Sequence, residues 1–372
     1  MQTSVNGKIT VRQFTILIIL GVVGDTILVL PTITGSFAKQ DAWLSMFLAL
    51  LLGMATAFLY AGIANKMKRK SWVEAAQSQL GVFVGSLFSI LFLFQIFMCA
   101  SALLSETSQF LTTQMMPETP VNAMLIVFMT VIIIAYRYGV ETFARMGEML
   151  FPVFIILFLF LVLCLLPQIK MSNMKPVLAE GMYPFLKGML PAYAYGFTEM
   201  VTLLMLVPHV AGNGKLTKPI FIGYAVGGII LLITVDFCVL VLGANLMETK
   251  YYPTFVLAQK ITIGKFVERI EVILAFLWII TVFYKTLMLF FSLISGIAQF
   301  LRLKESNMLT IPIGMILIVS SVLTTPNIVV YNDILNNYYP WFDIVFCVLL
   351  PVIFFVALHL ASLLGGKHSQ KK

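Results

Sequence analysis

Apolar runs of about twenty residues follow one another along the whole chain, separated by short polar stretches. Runs of that length suit helices crossing a bilayer, whereas membrane β-strands would alternate over shorter segments. The pattern predicts ten spans, at 11–37, 43–63, 82–112, 121–137, 149–166, 185–207, 219–243, 270–299, 309–325 and 340–362. Two of them interrupt themselves. In 11–37, Gly21 and Gly24 are followed at once by Asp25 and Thr26, and then by Pro31, so a continuous helix is least secure near its middle. In 185–207, Pro191 and Gly196 precede Phe197 and Glu199 in much the same way. Backbone freed at membrane depth is tolerated only where protein or a watery cavity satisfies it. Asp25 therefore has two readings: its carboxylate caps the second half-helix, or the break forms half of a ligand site. Breaks at matching places predict two repeats of opposite topology, about 11–166 and 185–362, although no residue-level repeat links them. They would form a single transmembrane domain over 1–366 with a short tail at 367–372.

The loops add orientation. Stretch 64–81 reads as a basic amphipathic helix lying on the membrane or under the bundle. Stretch 115–120 reads as a tight acidic turn. Stretches 167–184 and 244–269 are long enough for folded caps on the opposite face, the second with a short helix at 253–261, and such caps suit gating of a cavity. With the N-terminus inside, about fifteen of the 24 basic residues fall on the cytoplasmic side, so both termini are expected there.

Composition agrees with this picture. The chain is 60% hydrophobic and 11% charged, with a mean hydropathy of +1.00, outside the range of soluble domains and consistent only with an all-α polytopic membrane protein. The net charge of +8 comes from scattered loop residues and points to membrane orientation and lipid rather than to nucleic acid. Cys99, Cys164, Cys238 and Cys347 lie in apolar runs without paired spacing and read as packing residues. His209, His359 and His368 stand apart from one another. No nucleophile, phosphate-loop or metal motif appears, so no cofactor and no enzymatic activity are expected.

Charges at membrane depth are the candidate chemistry, because each is costly and normally faces the bundle interior with a partner. They are Asp25, Glu106 in the third span, Glu199, Asp236 in the seventh and Lys285 in the eighth. Glu106 is alternatively an outer-end residue in water, and Asp236 alternatively half of a structural pair. Lys285 is expected to pair with Asp25 or Glu106, with Tyr284 or Thr281 lining the same cavity. Tyr193 and Tyr195 lie beside the second break. Tyr251-Tyr252 and Tyr338-Tyr339-Pro340-Trp341 read as boundary anchors.

Several stretches together resemble one family. They are Gly24 with Leu30-Pro31, the pair Glu106-Thr107, the run from Asn173 to Gly181 (NMKPVLAEG), and the run from Phe266 to Glu271 (FVERIE) followed by Trp278. Their order and spacing are similar to the B subunits of bacterial endospore nutrient germinant receptors, relatives of amino-acid permeases. The resemblance implies a 5+5 inverted-repeat fold with helices one and six broken. It further implies location in the spore inner membrane, association with A and C subunits, and recognition of a small nutrient such as an amino acid. The implied pocket lies between spans one, three, six and eight, at Gly24, Asp25, Thr26, Ala102, Glu106, Tyr195, Gly196, Phe197, Glu199, Thr281, Tyr284 and Lys285. One departure is Thr26, where the family pattern has a second glycine shortly after Gly24. The rival expectation is a proton-coupled amino-acid transporter on the same fold.

Overall fold

The computed structural model describes residues 7–261, 270–325 and 327–369, and within them the regular elements are helical apart from one isolated bridge between Ile9 and Val210. The predicted residues Phe266 to Arg269 and 370–372 lie outside the described set. Eight helical stretches are long and apolar enough to cross a membrane, and two shorter apolar helices, Val11–Val23 and Val121–Arg137, complete the ten passes.

Span one is two half-helices, Val11–Val23 and Thr26–Ala38, and a 3-10 turn at Lys39–Asp41 leads into span two, Ala42–Lys66. A reciprocal capping box between Thr10 and Gln13 opens the first half. Gly24 ends it at φ +32, ψ −130, a conformation in which side chains are strained. Span six, Met182–Phe197, gives way to a 3-10 segment at Thr198–Thr202 before a last helical turn at Leu203–Leu206. The others are Val82–Phe110 (three), Val121–Arg137 (four), Val140–Leu165 (five), Thr217–Phe237 (seven), Glu271–Phe300 (eight) and Thr310–Thr324 (nine). Span ten starts at Tyr339–Asp343 and continues through a π-helical turn, Ile344–Leu349, into Leu350–Ser369.

The helices pack in two groups. Spans one and two interleave with six and seven, while spans three and four pack with eight and nine, and span eight crosses against span one. Small residues allow the close approaches: a Cβ on Gly223 or Gly227 of span seven would stand 2.5 Å or 2.8 Å from Ile18 or Val22 of span one. Both broken helices belong to the first group, and their breaks meet span eight of the second.

The loops largely follow the pattern of the sequence. Stretch 64–81 contains the helix Trp72–Leu80, opened by a Ser71–Glu74 capping box. Trp72 is buried between Phe92 and Phe354, ring centroids 4.9 Å and 4.1 Å away, so this helix packs under the bundle. The cap over 244–261 holds two short helices, Ala244–Thr249 and Pro253–Gln259. The cap at 167–184 is tied to the end of span one, because the Asp41 carboxylate accepts the Leu178 N–H and Lys39 pairs with Glu180 at 2.7 Å.

Two features differ from expectation. The connection between spans nine and ten carries a helix of its own, Ile328–Asn337, capped by Asn327 through bonds from the N–H groups of Val329 and Val330. The aromatic run at 338–341 is not a uniform boundary belt. Tyr338 and Trp341 are exposed, but Tyr339 is buried and stacks on Tyr195 at 5.2 Å. Tyr252 also turns inward, edge-on to Phe110 at 5.0 Å.

Candidate functional site at the paired helix breaks

The two breaks are joined by one side chain. Lys285 Nζ of span eight lies 2.5 Å from Asp25 Oδ1 and 2.5 Å from Glu199 Oε2, and all three residues are buried. Asp25 stands at the cap position of the second half-helix but makes no side-chain capping bond, which removes the capping reading. Its carboxylate is committed to Lys285, with Thr26 Oγ1 3.4 Å from Oδ1. Of the two partners expected for Lys285, Asp25 is present and Glu106 is not. The second carboxylate is Glu199, which the start of the 3-10 segment places at the interior.

The freed backbone is satisfied by hydroxyls. Thr281, one turn before Lys285, donates to Gly24 O at 2.7 Å. Tyr224 of span seven donates to Phe197 O at 3.0 Å, and Tyr60 of span two donates to Thr198 O at 2.7 Å. Unpartnered carbonyls at membrane depth would each cost several kcal/mol, roughly, so these three hydroxyls permit the breaks. Gly24 O and Phe197 O thus each accept a protein hydroxyl. Thr26 and Gly196 connect the breaks from the other side: a Cβ on Gly196 would lie 4.0 Å from Thr26 Cγ2.

Glu106 belongs to the same interior. It is buried, which overturns the reading that places it in water, and its Oε2 accepts the Tyr331 hydroxyl at 2.5 Å while Oε1 has no hydrogen-bond partner. Its carboxyl group is near enough to Asp25 for the two to interact. Tyr331 sits on the unforeseen helix Ile328–Asn337, so this helix closes over span three.

Other expected residues point elsewhere. Tyr284 packs against span five, where a Cβ on Gly147 would stand 3.2 Å from its ring, and its hydroxyl is unpartnered. As the residue before Lys285, it stands about 100° round the helix from it. Phe197 turns toward spans two and seven, against Gly53 and Gly228. Tyr195 donates to Leu335 O at 3.0 Å, and Tyr193 shares a 2.6 Å hydrogen bond with Thr56. Ala102 is half-buried one turn before Glu106. Asp236 is only half-buried, and its Oδ1 has no hydrogen-bond partner among the described residues.

One residue was missed. Asp343 of span ten is fully buried and accepts Gln95 Nε2 at 2.6 Å. It lies near the start of the tenth apolar run, where an acid inside WFDIVF was a usable signal. Cys99, Glu199 and Asp343 bring ligand-type atoms within 4.8 Å of one another. Two buried carboxylates, Asp25 and Glu199, thus meet one ammonium, and two further carboxyl groups, Glu106 and Asp343, are buried on spans three and ten.

Comparison with known proteins places this architecture. The structure of MhsT in complex with L-phenylalanine superposes with a TM-score of 0.69, covering 94% of this chain and 88% of that one at 13% identity. Mhp1, a nucleobase-cation-symport-1 family transporter, superposes at 0.60, covering 91% and 76% at 10% identity. The fold is thus the permease-like inverted repeat of such transporters, with helices one and six broken. In sequence, spore germination protein KB of Bacillus subtilis is 28% identical over 94% of both chains. Spore germination protein XB of Bacillus anthracis is 26% identical over 78% of this chain and 81% of its own. The family model described as spore germination protein matches residues 8–329. Spanning most of the chain, that match and these relatives identify it as a member of the spore germination protein family, of the germinant-receptor B type.

Proposed function

We propose that the chain is the nutrient-sensing subunit of a germinant receptor, binding a small molecule such as an amino acid between spans one, three, six and eight. The observation that carries this reading is the Lys285 bridge, which ties Asp25 at one break to Glu199 at the other. A ligand with charged ends competes for the same three groups, so its binding exchanges intramolecular ion pairs for ligand contacts. Because the bridge joins the two groups of helices, breaking it biases their relative arrangement, as a sensor requires. A and C subunits in the spore inner membrane would read that change, with both termini of this chain on the core side.

A transporter on the same fold is the second reading, favoured by the excess of buried carboxyl groups over ammonium, which suits coupling to protons or cations. Reconstituted vesicles separate the two. Saturable binding of an activating nutrient without gradient-driven uptake supports the sensor, and uptake that follows a proton gradient supports the transporter. Wild-type binding kept in full by Lys285→Met would overturn the placement of the ligand.

A further inference from the structure

We propose that Cys99 of span three, Glu199 at the break of span six and Asp343 of span ten form a binding site for one divalent metal ion of the zinc class. The inference is independent of which nutrient the receptor senses. Three donors of suitable chemistry come from three different helices, and their ligand atoms already lie within 4.8 Å of one another. Tetrahedral zinc with bonds of roughly 2.0–2.3 Å sets neighbouring donors roughly 3.3–3.8 Å apart, so the set must draw in by no more than about 1.5 Å. A sulfur donor beside two carboxylates selects zinc, cadmium or cobalt(II) over magnesium and calcium, which prefer oxygen alone.

A second observation points to an absent partner. Among the described residues, Asp343 Oδ2 and Gln95 Oε1 are buried oxygens with no hydrogen-bond partner, on side chains that are themselves fully buried. Leaving such oxygens unsatisfied is costly, and a cation among them removes the cost. Gln95 is also placed to organise the site. Its Nε2 donates to Asp343 Oδ1 at 2.6 Å and to Cys99 Sγ at 3.1 Å, so one amide orients two of the three donors. The π-helical turn that follows Asp343 is a common local device where a helix presents a functional group.

Charge fits as well. The metal's two positive charges offset two of the three carried by a Cys99 thiolate, Glu199 and Asp343, and the thiol proton leaves to bulk solution on binding. Glu199 is shared with Lys285, so metal binding draws this carboxylate away from the ammonium and weakens the bridge between the two breaks.

The test uses the full chain, purified in detergent without a histidine tag, stripped with chelator and titrated with Co²⁺. The expected result is about one equivalent bound per chain with a sulfur-to-cobalt charge-transfer band that Zn²⁺ displaces and Mg²⁺ does not. Cys99→Ser should abolish the band, and Asp343→Asn should weaken binding by roughly tenfold or more. Absence of the band in the wild type overturns the proposal, as does a band that survives Cys99→Ser or affinity unchanged in Asp343→Asn. Should Cys99→Ser fail to give a monodisperse protein, the variant with Cys164, Cys238 and Cys347 replaced by serine decides. Its band must persist, and loss of the band there assigns the sulfur to another cysteine and rejects the site.

Discussion

Gly24 and Lys285 claim the same volume: a Cβ added to Gly24 would lie 2.4 Å from Lys285 Cδ. The missing side chain in span one makes room for the stem of a lysine from span eight, which then reaches past the break to two carboxylates. The glycine is thus needed for an approach within the protein.

Gly24→Ala should therefore destabilise the fold, by about 1–3 kcal/mol from strain at positive φ with the clash in addition. The new methyl would also meet Gly21 O at 2.8 Å, which shortening Lys285 does not relieve. Thermal unfolding in detergent should show a lower midpoint for Gly24→Ala, and the drop that Gly24→Ala causes should be smaller, but not absent, when measured against a Lys285→Ala background. An unchanged midpoint would contradict the close approach.

The Lys285 bridge predicts coupling that depends on partner. Lys285→Met strands two buried carboxylates, and removing one side of a buried pair costs about 3–5 kcal/mol. Combined with Asp25→Asn or Glu199→Gln, the loss should be less than additive, whereas Glu106→Gln should combine with Lys285→Met much more nearly additively. Double-mutant cycles on stability and on nutrient response measure this, and equal coupling to all three acids would reject the pairing.

Tyr331→Phe removes the hydroxyl that Glu106 Oε2 accepts. A hydrogen bond to a charged group is worth about 1.5–3 kcal/mol, so the variant should be destabilised by a comparable amount in wild type and by much less in the Glu106→Gln background. A cost that is the same in both backgrounds would mean that Tyr331 acts through packing.

Tyr224→Phe tests the carbonyls at the second break. It removes one hydrogen bond to Phe197 O in a buried setting, at about 0.5–1.5 kcal/mol. The same change at Tyr251, whose ring is exposed, should be within about 0.5 kcal/mol of neutral. If the two variants unfold at the same denaturant concentration, the carbonyl needs no partner.

The sequence by itself determined the class of protein, the ten passes and both breaks. These rest on local properties: a run's hydropathy and length decide whether it crosses a bilayer, and glycine or proline beside an acid decides where a helix is weakest. It also marked Asp25, Glu106, Glu199 and Lys285 as charges too costly to leave without a role. What each charge meets is set by packing between segments far apart in the chain, and only the tertiary structure decided that. Lys285 takes Glu199 and not Glu106 because spans six and eight meet at the 3-10 segment, while Glu106 is claimed by Tyr331, 225 positions away. Helix rotation separates Thr281, which faces the break, from Tyr284, which faces span five. Asp343 and Tyr339 sit near the end of an apolar run, where hydropathy cannot distinguish a residue facing water from one facing a neighbouring helix. The fold settles it by laying Gln95 and Tyr195 against them.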